Sequence, residues 1–314
     1  MNYFDFWRSS SFITRAVVLL VLAHLIIGGF VHAYWMKTAN EQVLRAYFDY
    51  EGVPIFLLLA GLQTTFAVRV FRDFSSHSPL GSAWQYIMLG SVCYLGGAIF
   101  KHLLAVNSAI NPALLLPFAA TDERRALFSM VGTVLGGPIM MVLLGTGLYM
   151  AIRTYRRLGI LSKLKTIDIA LIGTSLLYSI IVIIGVILAV RTHPERVTAE
   201  QALTWPGDYL LTLLMLEAVF LRRAALEAGW GFVSKVWGTF VAAIFLTSFC
   251  SLMNWLTAYS VFTWTQTAFV WYLWYPAAAA FALAPTFQWE AMRTARLRLS
   301  KPVEELGLAA FPGR

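Results

Sequence analysis

The stretch from Ala126 to Lys165, ALFSMVGTVLGGPIMMVLLGTGLYMAIRTYRRLGILSKLK, limits this chain more than any other. From Ala126 to Ile152 it holds no charged residue. At about 1.5 Å per helical residue, that run reaches across a hydrocarbon core of about 30 Å. Gly136-Gly137-Pro138 breaks it near the middle, and Arg153, Arg156, Arg157, Lys163 and Lys165 follow it. The run implies that the solvent for this chain is a lipid bilayer, and the basic cluster implies which side faces the cytoplasm.

Composition agrees. Hydrophobic residues make up 59% of the 314 and charged residues 13%, against roughly a quarter charged in a soluble domain. The net charge of +8 is spread between apolar runs rather than gathered in a patch interleaved with aromatics, so it marks topology and not nucleic-acid binding. Tyr34, Trp35, Trp84, Trp205 and Trp264 lie near the ends of apolar runs, where aromatic rings suit the headgroup region. Cys93 and Cys250 both fall inside apolar runs and read as small buried hydrophobes. No CxxC, CxxCH or zinc spacing occurs. Arg8, Arg15 and Val31-His32-Ala33 mimic a signal sequence, but the run from Ala16 to Trp35 is long enough to span and favours a retained helix.

Eight spans are predicted, at residues 13–35, 53–71, 84–106, 126–152, 169–190, 206–226, 233–259 and 266–288. The sixth is the poorest, because Glu217, Arg222 and Arg223 interrupt it. The connections alternate in charge at every loop, so both termini are expected in the cytoplasm. With no water to satisfy the backbone, the spans are helices. The expectation is therefore an all-α polytopic protein of the inner (plasma) membrane. It has one transmembrane domain over residues 1–292, a cytoplasmic tail over 293–314, and no segment large enough for a soluble domain. Two four-helix halves are suggested by Ile26-Ile27-Gly28 against Ile183-Ile184-Gly185, and by the Cys-x-Leu at Cys93 against that at Cys250.

Three groups of residues are candidates for a site. The first is a pair of helix breaks, Gly136-Gly137-Pro138 in the fourth span and Pro276 in the eighth. Proline removes a ladder donor and bares backbone acceptors, and matched breaks in two halves point to a transport site. The competing reading is packing, since Gly132 and Gly136 have the GxxxG spacing of a close helix contact. The second group is histidine. His24 falls mid-span and should face the bundle interior. His32 and His102 share an outer depth and could ligate a b-type haem or, with Asp49 or Glu51, a metal ion. Plain interfacial histidines bonded to carbonyls or water are the alternative. The third is Glu217, either a proton or cation relay or an ion pair with a snorkelling arginine. Asn254 reads as a bond to a neighbouring helix, and Asp168 and Glu290 as span-end charges with no special role.

No nucleophile elbow, Walker loop, HExxH or paired-carboxylate pattern is present, so nothing supports an enzyme. Eight spans with both ends inside resemble in outline the quinol-handling membrane subunits of the polysulfide-reductase type, a likeness of length and helix count that carries over no residues. The leading expectation is a small-solute or ion translocator, or the membrane component of one, with a cavity near the broken helices and no cofactor. The alternatives are an electron-transfer anchor binding haem b or quinone, and a sensor or assembly subunit serving partner subunits.

Overall fold

The computed structural model describes residues 11–38, 41–74, 79–106, 121–160, 163–192, 194, 199–258 and 272–299. Among these residues there is no strand, and eight long helices account for the architecture. They are α1 (Phe12–Thr38), α2 (Glu41–Asp73), α3 (Pro79–Ala98, continued by a π-helical segment Ile99–Val106) and α4 (Asp122–Arg157). The second half holds α5 (Thr166–Thr192), α6 (Ala199–Glu227), α7 (Gly231–Ala258) and α8 (Trp274–Leu299). Each predicted span falls on one helix. Residues 266–271 of the eighth span and 300–314 of the tail lie outside the described residues, and α8 runs on into the start of that tail.

Local sequence accounts for the ends. The Thr121 side chain caps α4 by accepting the Arg124 backbone N–H, with Asp122 and Glu123 in the first turn. At the other end Gly159, at φ 73°, lets Ile160 N–H reach the Tyr155 carbonyl and Gly159 N–H reach that of Arg156. This Schellman closure recurs at α6, where Gly229 has φ 74° and Trp230 N–H bonds the Ala225 carbonyl. Both positions need a left-handed backbone that only glycine adopts cheaply.

Six of the helices are long and apolar enough to cross a membrane: Phe12–Val31, Gly52–Asp73, Leu80–His102, Asp122–Arg157, Thr166–Thr192 and Gly231–Thr257. The other two, α6 and α8, fall outside that set because Glu217, Arg222 and Arg223 interrupt α6 and the start of the eighth span lies outside the described residues. Helices α2, α3, α4, α6, α7 and α8 touch in that order and α8 returns to α2, which closes a ring. Helix α1 lies against α2 and α8, and α5 against α6 and α7. Much of α8 is sheathed by its neighbours and is built of small residues, with Ala278, Ala282 and Ala284 fully buried. Helix α5, on the outside, exposes Leu177, Ile180, Ile184 and Leu188.

Side chains fill the ring at the end where α4 and α6 terminate. Trp84 of α3 and Trp237 of α7 meet from opposite sides of the ring, centroids 6.5 Å apart. The Trp237 indole N–H donates to the Tyr155 hydroxyl at 3.1 Å, and Phe240 packs edge-on against Phe281. One large apolar cluster runs through α3, α4, α6, α7 and α8 around these rings.

Candidate functional site

A cleft beside a buried carboxylate lies where α5, α6 and α7 meet, toward the end opposite the tryptophan pair. It is built on Asp208, a residue that sequence reasoning passed over. The Asp208 carboxylate is buried. Ser251 donates its hydroxyl to Oδ1, and the Trp255 indole N–H donates to Oδ2 at 2.6 Å. On the other flank the Ser179 hydroxyl reaches the Asp208 carbonyl at 3.1 Å and lies 2.6 Å from the Thr212 hydroxyl. Thr212 in turn donates to the Ser175 carbonyl at 3.2 Å. Beside the carboxylate, the cleft has Ser179, Asp208, Ser248 and Ser251 on its polar side and Tyr178, Val182 and Leu211 completing it, with room for about one water molecule. Among the described residues no arginine, lysine or histidine pairs with Asp208.

Helical spacing produces this arrangement. Ser175 and Ser179 are four apart on α5, Asp208 and Thr212 four apart on α6, and Ser251 and Trp255 four apart on α7, so each pair shares a face. That pattern of small hydroxyls was the available signal. Asp208 was overlooked because Pro206 marked the start of the sixth span, and a carboxylate two residues further on reads as a boundary charge.

Glu217 lies nine residues further along α6. At 100° per residue that is two and a half turns, so it points away from Asp208. It faces α4, where its Oε2 lies 3.6 Å from the place a Cβ on Gly145 would occupy. That oxygen is buried with no hydrogen-bond partner among the described residues. The expected pairing of Glu217 with the neighbouring arginines is not what the structure holds. Arg223 instead donates to Asp168 Oδ2 through Nε at 2.7 Å and through a second guanidinium nitrogen at 2.6 Å, and Arg222 lies 3.6 Å from Oδ1. Asp168, read as a span-end charge without a role, is fully buried and also accepts the Lys165 backbone N–H. It wins the arginines because α5 and α6 are antiparallel neighbours, which puts the first turn of α5 beside the last turns of α6.

The helix breaks also change character. Gly136-Gly137-Pro138 does not interrupt α4; a π-helical turn over Leu135–Ile139 absorbs the proline and the α-helix resumes at Met140. Gly136 is a packing residue, since a Cβ on Gly97 of α3 would come within 2.6 Å of its Cα and N. A Cβ on Gly137 would meet nothing. Pro138 faces Gly207, the residue before Asp208, so the π-turn lies at the level of the carboxylate site. Pro276 sits in the first turn of α8, where a missing N–H leaves no ladder bond broken. The proline inside that helix is Pro285. The matched mid-span breaks expected from the sequence are therefore absent.

His24 is buried, as expected for an ionisable group at that depth, and packs edge-on against Tyr275 with centroids 4.0 Å apart. Tyr275 stacks on Phe56 at 4.8 Å, and Phe56 stacks on His102 at 5.2 Å with the planes 5° apart. The two imidazoles thus end one aromatic stack that ties α1, α8, α2 and the π-helical end of α3. Glycines admit it: Tyr275 lies on Gly52 of α2, and Tyr272 lies on Gly28 of α1 with its hydroxyl donating to the Gly28 carbonyl at 2.7 Å. The His32 side chain lies outside the described residues. The haem pair expected from the sequence, His32 with His102, therefore falls partly outside the described residues, while Phe56 and Tyr275 separate His102 from His24. Among the described residues no three His, Cys, Asp or Glu side chains gather as a metal site. No known protein family, no curated protein and no solved structure matches the chain.

Proposed function

We propose that this protein crosses the inner (plasma) membrane eight times with both termini in the cytoplasm, and that it is a carrier for a small solute or ion. One observation carries the reading: α6, a member of the helix ring, holds two acidic side chains, Asp208 and Glu217, that no basic residue pairs with among those described. Ionisable groups are costly in a bilayer interior and persist where they serve a pathway. The nearby arginines make the contrast sharper, because both are spent on Asp168. A ring filled at one end by Trp84 and Trp237 favours a carrier that changes shape over a standing pore. The π-turn of α4 beside Gly207 supplies a deformable element at the level of Asp208.

The test is flux in proteoliposomes. Asp208→Asn and Glu217→Gln should each reduce solute-driven or ion-driven flux by about tenfold or more, while Thr174→Ala, on the exposed face of α5, leaves it intact. Flux that neither acidic substitution changes would remove the carrier reading.

A second reading has its own support. The stack from His24 through Tyr275 and Phe56 to His102 offers flat rings and imidazoles of the kind a quinone headgroup packs against. On that reading the protein anchors an electron-transfer complex. Quinone extracted with the purified protein, and lost on Phe56→Ala, would favour it over the carrier.

A further inference from the structure

We infer that the cleft between α5, α6 and α7 binds a single dehydrated alkali cation, with Na+ the ion of matching size. The inference deepens the carrier reading and rests on it for its role, though the binding itself is independent of transport.

The first argument is charge. Ser251 and Trp255 both donate to the Asp208 carboxylate, so each of its oxygens is already used as an acceptor and the group is arranged as an anion. A buried carboxylate without a counter-charge is strongly unfavourable. No basic side chain among the described residues supplies one, so the cleft beside it is the place for a positive charge.

The second argument is ligand type. The Ser248 hydroxyl donates its only proton to the Ile244 carbonyl at 2.9 Å, and that of Ser251 goes to Asp208. The Ser179 proton is engaged with the Asp208 carbonyl or with Thr212. A hydroxyl whose proton is committed has only lone pairs left to offer. These three serines therefore offer oxygen acceptors and no spare donor, which suits a hard cation. Oxygens from three helices also line the one cleft, a redundancy that a bare proton on one carboxylate does not need.

The third argument is count and size. One carboxylate balances one charge, whereas divalent sites gather more acidic ligands. Room for about one water molecule matches a bare small ion better than an organic amine or a hydrated ion. A small alkali ion held by Asp208, Ser179, Ser248 and Ser251 fits both limits.

The experiment is equilibrium binding of radioactive Na+ to the purified full chain in lipid nanodiscs, at constant ionic strength with choline as the replacement ion. One Na+ per chain should bind saturably, displaced by Na+ and Li+ far better than by K+. Asp208→Asn should weaken binding by about 100-fold or more, and Ser251→Ala by about tenfold. Ser248→Ala, whose proton only serves its own helix, is the second variant if Asp208→Asn does not fold, and it too should weaken binding. The fluorescence of Trp255, bonded to the carboxylate, should change with Na+ in the wild type and not in Trp255→Phe. Absence of saturable Na+ binding, or binding that Asp208→Asn and Ser248→Ala leave unchanged, would overturn the site. A Trp255 signal that follows pH and ignores Na+ would also overturn it, in favour of a proton. Flux that persists in choline alone would leave the carrier without the ion as its partner, while Na+ binding without any flux would keep the site and remove the carrier.

Discussion

Asp168 is the residue on which the join between the two central connections depends. Its buried carboxylate holds Arg223, itself nearly buried, through two nitrogens and has Arg222 alongside. Removing one partner of such a pair strands the other charge, which costs about 3–5 kcal/mol. Arg223→Ala should therefore lower thermal stability in detergent severely, and Arg222→Ala, whose side chain is a third exposed, much less. Equal losses from the two would show that Arg222 carries the pair. The sequence marked all three residues as charged and near span ends but could not say which met which. Spacing along one helix fixes direction, as for Asp208 and Glu217 half a turn apart in azimuth. It leaves open which helix lies on each side. Asp208, read as a boundary charge, has partners 29 and 43 positions away, so nothing local set it apart.

At the scale of the element, glycine decides how closely helices approach. A Cβ on Gly97 would come within 2.6 Å of Gly136 and 2.7 Å of the Gly132 carbonyl, all of it backbone that cannot rotate aside. Gly97→Ala should destabilise by about 1–3 kcal/mol through forced separation of α3 and α4. Gly29→Ala, where a Cβ meets nothing on α1, should be neutral or gain up to about 1 kcal/mol. Thermal melts of the two variants side by side check this, and a Gly97→Ala protein as stable as wild type would mean the two helices are free to part. The GxxxG spacing of Gly132 and Gly136 did foretell a packing surface, and Gly97 is its partner. The proline signals were harder to read. Pro138 and Pro276 look alike in sequence, yet one sits in a π-turn and the other in a first turn, because only the position of the helix start tells them apart.

For the whole molecule, each of the eight predicted spans falls on a helix, and the alternating charge of the connections was the signal that kept the sixth and eighth in the set. Length with apolar composition recovers six among the described residues, because Glu217, Arg222 and Arg223 interrupt α6 and residues 266–271 of the eighth span lie outside them. The proposed topology makes a direct prediction. In a chain lacking Cys93 and Cys250, Lys163→Cys and Arg191→Cys, at opposite ends of the α5 region, should react with impermeant thiol reagents from opposite sides of sealed vesicles. Reaction from one side would refute the crossing of α5. The circular order of the helices was not legible, because nothing in a linear pattern states which spans are neighbours. That order has a consequence through Trp84 and Trp237. Indoles that clasp across a six-member palisade couple its far walls, so α3 cannot lean outward without dragging or releasing α7. Any doorway at that end must open by breaking one handshake between two rings, and how often the molecule lets go would set the tempo of whatever it does.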